Sequence, residues 1–162
     1  MNQQLAYQRH NHQHCIESAV EHARVCCSQR GTRLTPQREG ILRLVWQSHK
    51  PLGAYAIMEL LAKERGKAVA PPTVYRALDF LVEHQLIHRV HSLNAFIGCP
   101  EPERQHQNHF LICSHCGITV ECGSHLLQSL IEKAAEAEDF EPQQQSLEIK
   151  GLCARCRQDA HG

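Results

Sequence analysis

A chain of 162 residues has room for one ordinary domain or two small ones, and 42% of apolar residues divided between two would leave each with a thin core. Small cores of that kind usually lean on a metal, disulfides or a partner subunit, and no apolar run approaches the length of a membrane span. Seventeen basic residues offset seventeen acidic ones, which argues against a chain that is basic throughout, as nucleic-acid binders often are.

The balance conceals an asymmetry. Residues 1–98 hold 12 Lys+Arg and 7 Asp+Glu, a net of +5, whereas residues 99–162 hold 5 and 10, a net of −5. Opposite halves are expected where only one of them faces phosphate.

The polar, His-rich stretch 1–14 lacks the apolar core of a signal peptide and reads as a flexible tail. The expected compartment is therefore the cytosol, where thiols stay reduced. Ile16, Ala19, Val20, Ala23, Cys26 and Cys27 then follow the helical i, i+3, i+4, i+7 rule, and Gly31 stops that helix. Thr35-Pro36 opens a second helix with Ile41, Leu42, Val45 and Trp46 on its apolar face. A third follows Gly53, carries Ile57, Leu60 and Leu61, and closes at Gly66. Pro71-Pro72-Thr73 launches a fourth, with Val74, Ala77, Leu78 and Leu81 inside.

Beyond Gln85 the period shortens to two strands, Leu86–His91 and Ala95–Cys99, joined by a turn at 92–94. Helices followed by a small hairpin are the winged-helix layout, so 15–98 is expected to be a winged-helix DNA-binding domain. Cys99–His106, with two prolines and alternating charge, is the candidate hinge. The remainder, 107–162, reads as a smaller α/β domain. It has strands at Phe110–Cys113 and Ile118–Glu121, a helix bearing Leu126, Leu127, Leu130, Ile131, Ala134 and Ala137, and a last strand at Gln145–Leu152. The fold class is α+β.

Nine cysteines and thirteen histidines in a reducing compartment point to metal or redox chemistry rather than a disulfide framework. Two Cys-x-x-Cys knuckles, Cys113/Cys116 and Cys153/Cys156, supply four thiolates to one tetrahedral structural zinc. The 36 residues between them exceed the usual zinc-ribbon gap but accommodate the helix and strand. The alternative is one redox pair and one coincidental pair.

A second, scattered set is His88, Cys99, His106 and Glu121. A metal bound there would bridge the two halves across the hinge and select one arrangement of them. Its mixed nitrogen, sulfur and oxygen donors favour zinc over iron or magnesium. Taken singly, a strand histidine usually faces solvent and a lone cysteine usually packs in a core.

Thr73, Tyr75 and Arg76 open the fourth helix, where a recognition helix reaches base edges, and Arg76 suits a bidentate contact to guanine. Arg33, Arg38 and Arg43 are placed to meet phosphates; an ordinary solvated helix face is the competing reading. His10, His12 and His14 alternate in the tail, a weak chelating pattern. Cys26 and Cys27 are expected to pack in the first helix. Cys122 is a spare ligand or a neutral strand residue.

Leu34-Thr35-Pro36-Gln37-Arg38, the Thr73–Leu78 run, His88 with Cys99 eleven residues later, Cys113-x-x-Cys116-Gly117 and Gly151-Leu-Cys-Ala-Arg-Cys156 together resemble the ferric uptake regulator superfamily, and within it the zinc uptake regulators. The resemblance spans about Ile16 to Cys156. It implies that 107–162 is a dimerisation and metal-binding domain, and that each chain takes two Zn2+. It also implies a zinc-loaded homodimer that binds a palindromic double-stranded DNA operator and represses zinc-uptake genes in the cytoplasm.

The family's sensing ligands fall on His88, Cys99, His106 and Glu121, its recognition residues on Tyr75 and Arg76, and its basic residue near the second helix on Arg33. Iron- and peroxide-sensing relatives lack the thiolate, so the resemblance makes Cys99 the discriminating residue. His109 is a second candidate for the fourth ligand, although spacing to Cys113 favours His106.

The alternatives are an iron or peroxide sensor, a zinc-dependent hydrolytic enzyme, or a thiol redox switch. No His-Glu-x-x-His helix, deaminase signature, phosphate loop or Gly-x-Ser-x-Gly elbow supports an enzyme. Neither a small-molecule substrate nor a membrane is expected as a partner.

Overall fold

The computed structural model describes residues 11–103, 108–143 and 145–159, with backbone alone at 108. Helix α1, His12–Gln29, begins earlier than the periodicity implied. The Asn11 side chain accepts a hydrogen bond from the Gln13 amide at 3.0 Å and so caps the helix, which draws His12 and His14 out of the expected tail. His10 lies outside the described residues. Cys15, Cys26 and Cys27 are buried on the inner face of α1.

Helix α2, Pro36–Val45, starts as expected, with Thr35 as cap and proline at its first position. A two-residue strand, β1 (Leu52–Gly53), precedes α3 (Ala54–Arg65); Gly66 ends α3 at φ +65°, a left-handed conformation natural to glycine. Helix α4, Pro71–Glu83, buries Val74, Ala77, Leu78 and Leu81. The strands β2 (Ile87–Val90) and β3 (Ala95–Gly98) are joined by a 3-10 turn at His91–Leu93 and left-handed Asn94. The first sheet has the order β1-β3-β2, with Leu52 opposite Phe96 and His88 opposite Ile97. One apolar core joins α1–α4 to this sheet, with Ile41, Leu42, Ile57, Leu61, Leu78 and Leu81 almost fully enclosed.

The second sheet is built on β4 (Asn108–Cys113). Antiparallel β5 (Thr119–Glu121) lies on one side and parallel β6 (Ser146–Gly151) on the other. Helix α5, His125–Ala137, belongs to the connection that a parallel pair requires. On its apolar stripe Leu127 and Ile131 are half-buried, whereas Leu126 is 71% and Leu130 55% exposed among the described residues. The second Cys-x-x-Cys opens a short helix, α6 (Ala154–Asp159).

The two halves meet through a small apolar cluster of Val90, Ile97, Phe110 and Ile112. Polar ties flank it. The Thr119 amide donates to the His49 carbonyl at 2.9 Å, and the Glu148 carboxylate accepts from the amides of His91 and Ser92 at 2.6 and 3.0 Å. Burial pushes the Glu148 carboxyl up, but the Ser92 side chain and the Ser92 and His91 amides outweigh it and hold the carboxyl below the usual carboxylate range.

Gly98 passes directly beneath the Trp46 indole, where an added Cβ would stand 2.2 Å from the ring. Gly98→Ala must displace the tryptophan or the neighbouring Cys99. Unfolding monitored by circular dichroism should show a loss of about 1–3 kcal/mol; unchanged stability would mean that the ring moves aside freely.

Candidate metal centres and nucleic-acid interface

The two knuckles converge. Cys113 ends β4, Cys116 follows in the tight turn closed by Gly117 at φ +76°, and Cys153 and Cys156 flank the start of α6. Their four sulfurs lie within 4.8 Å of one another, and Cys116 Sγ stands 3.8 Å from Cys153 Sγ. A tetrahedron with zinc–sulfur bonds of about 2.3 Å has an edge of about 3.8 Å, so the spacing fits that ion.

Backbone amides prepare the site. The Cys153 amide donates to Cys113 Sγ at 3.4 Å. Burial pushes the Cys113 thiol up, but amides from Cys116, Cys153 and His115 outweigh it and bring it down to about 6. Burial and the surrounding sulfurs push the Cys156 thiol up instead. One thiolate is thus ready at neutral pH, whereas gathering all four requires a cation among them.

The scattered set also assembles in part. His88 from β2, Cys99 just after β3 and Glu121 at the end of β5 bring donor atoms within 4.8 Å of one another. They are 4%, 3% and 8% exposed. His88 Nε2 lies 3.4 Å from a Glu121 carboxylate oxygen. Burial disfavours the imidazolium, but hydrogen bonds and charge from Cys99 and Glu121 raise the His88 pKa to about 9. A proton on His88 holds a thiol and a carboxylate together in the place that a cation fits. The pair of a soft sulfur and harder nitrogen and oxygen donors suits zinc.

His106 lies outside the described residues. His109 is buried on β4 but is absent from the cluster. Phe110 pairs with Glu121 in register, so the two-residue alternation turns His109 to the other face of the sheet. Cys122 also falls outside the cluster, with its amide bonded to the His109 carbonyl.

Thr73, Tyr75 and Arg76 are exposed on the first turns of α4, while the intervening Val74 and the following Ala77 are buried. A cleft of about 450 Å³, lined by Tyr55, Tyr75, Asp79, Arg89, Asn94 and Phe96, runs between this face and the first sheet. Arg33 is exposed before α2.

Two other arginines expected at phosphates are engaged within the protein. Arg38 donates to the Arg33 carbonyl at 2.6 Å, with its guanidinium 3.4 Å above the Phe80 ring. Arg43 pairs with Glu39 at 3.0 Å and Glu17 at 3.6 Å. Sequence reasoning missed the internal role of Arg38, because Phe80 lies 42 positions away and only the packing of α2 on α4 unites them.

The model of the ferric uptake regulator family matches residues 29–150. The zinc uptake regulation protein of Escherichia coli (strain K12) is 35% identical over 141 residues, covering 86% of this chain and 82% of that protein. The structure of a zinc uptake regulator complexed with zinc and DNA superposes with a TM-score of 0.84 at 32% identity, covering 91% of this chain and 98% of that one.

Holo XcZur gives a TM-score of 0.78 at 44% identity, with coverages of 87% and 98%. The apo form of XcZur gives only 0.52 at 43% identity, with coverages of 88% and 97%. At nearly equal identity, this chain is laid out like the holo form. With a family match over most of its length and relatives of this likeness, the chain belongs to the ferric uptake regulator family.

Proposed function

We propose that this protein is a zinc-sensing transcriptional repressor whose zinc-loaded homodimer binds a palindromic operator and silences zinc-uptake genes. The observation that carries this reading is the buried cluster of His88, Cys99 and Glu121, drawn from both sides of the candidate hinge and containing a thiol. Two Zn2+ per chain are assigned: one to Cys113, Cys116, Cys153 and Cys156, the other to His88, Cys99, Glu121 and His106. His109 faces away from the second set, which supports His106 as the fourth ligand.

Zinc in the first set would supply folding energy; in the second it would favour one arrangement of the two halves. The likeness to the holo rather than the apo XcZur structure supports a metal-selected arrangement. The helices and first sheet form the DNA-binding domain, 99–106 is the hinge, and 107–162 is the dimerisation domain. The uncovered Leu126 and Leu130 on α5 suit an isologous contact with a second copy.

Arg76 reads a base edge, Thr73 and Tyr75 contact the duplex beside it, and Arg33 meets phosphate. The cytoplasm suits a protein that needs DNA and reduced thiols; among the described residues, no helix is long and apolar enough to cross a membrane. The family is one of regulators rather than enzymes, and the thiol in the second cluster disfavours an iron or peroxide sensor.

The deciding experiment titrates free zinc against binding to a duplex that the protein selects from a random pool, with metal counted per chain. Affinity should rise as the second equivalent binds, and Cys99→Ser should abolish the rise. Equal affinity with that metal stripped or loaded would reject the reading. Arg76→Ala should weaken specific binding by about 1–3 kcal/mol and relax the preference at one base position; the same loss on every sequence would make it a phosphate contact.

Proton release offers a third test. His88 keeps its proton up to about pH 9 without metal, so zinc uptake near pH 7.5 must expel it. The metal-free state binds more protons, hence zinc affinity should increase with pH across the neutral range. Calorimetry in buffers of different ionisation enthalpy should show proton release; a buffer-independent heat would contradict the assignment.

A further inference from the structure

None of the residues in the second metal cluster lies on α4, the helix that carries Tyr75 and Arg76. A ligand shifts a conformational equilibrium only through contacts that differ between the states, so the cluster and α4 must be mechanically joined. Arg30, the C-cap residue of α1, supplies a join. One of its amino groups donates to the carbonyl of His84 at 2.6 Å, and His84 is the C-cap of α4. The other donates to the carbonyl of Pro102 at 3.1 Å, three residues beyond Cys99. Pro102 is buried between exposed Glu101 and Glu103, so the clasped carbonyl belongs to a seated part of the hinge.

A guanidinium is a rigid planar fork, and two carbonyls held by its two amino groups cannot move independently. Its charge also suits the negative end of α4. From His84 the connection continues. The His84 ring stacks on Phe80 at 3.9 Å, Arg38 covers Phe80, and Arg38 holds the Arg33 carbonyl. The Cys99 amide donates to the Leu86 carbonyl at 3.1 Å, which ties the ligand strand to the same end of α4.

We propose that Arg30 is the positioning residue that couples the metal-bearing hinge to the recognition helix. It is neither a ligand nor a base contact; it turns the placement of residues 99–102 into the placement of the α4 C-terminus. The proposal rests on His88, Cys99 and Glu121 being the sensing site.

The test compares full-length wild-type and Arg30→Gln proteins for zinc bound per chain and for affinity to one selected duplex, with the exchangeable zinc loaded or stripped by a chelator. Arg30→Gln should bind the same zinc and keep the stripped-state affinity. Its zinc-dependent gain in affinity should shrink by about three- to tenfold. Hydrogen exchange should show zinc protecting residues 97–100 in both proteins but residues 83–86 only in the wild type.

An undiminished gain, an equal loss in both metal states, or loss of the second zinc would overturn the coupling role. If the wild type itself shows no gain, the sensing reading fails in that arm, and the coupling falls with it. Should Arg30→Gln lack a native near-ultraviolet spectrum, Arg30→Lys, which keeps the charge without the fork, is judged by the same criteria.

Discussion

Three buried polar groups from two sheets hold one another, and the relation between the two halves of the chain turns on them. His88, Cys99 and Glu121 sit where water is largely excluded, and ionisable groups are costly there unless each has a partner. Among the described residues the halves also meet through four apolar side chains, the Glu148 cap on the 3-10 turn, and the Thr119–His49 bond. Contacts of that extent permit domain movement. A cation in the three-residue cluster would therefore act on the relation between the halves.

The two clusters divide the work by where their members originate. All four knuckle cysteines belong to the C-terminal half, so an ion among them staples β4 to the segment after β6 without asking anything of α1–α4. The second cluster draws His88 from the first sheet, Cys99 from just after that sheet's β3, and Glu121 from the second sheet. Metal in the first arrangement would hold one half together, whereas metal in the second would relate the two halves. One element would serve both purposes there, because burial and donor origin, not donor chemistry alone, decide what binding energy does.

Much of this was legible in the linear chain. The Thr35-Pro36 start of α2, the buried stripe of α4 and the paired knuckles each depend on neighbours a few residues apart, which is the range over which pattern is informative. Strand β1 was not legible, since two residues have no period and exist as a strand only because Phe96 and Ala95 lie opposite.

The start of α1 moved because a single asparagine cap outweighed the polar composition of 11–14. Proximity of His88 and Glu121 required two sheets to meet. The orientation of His109 required the register of β4 on β5. Arg38 looked like a phosphate contact because its stacking partner is remote in sequence.

Trp46 is the only tryptophan in the chain, and its indole lies against Gly98, one residue from Cys99. The protein therefore carries a native optical probe beside the thiol of the second cluster. Light emitted by that one ring would respond to a change in packing beside Cys99.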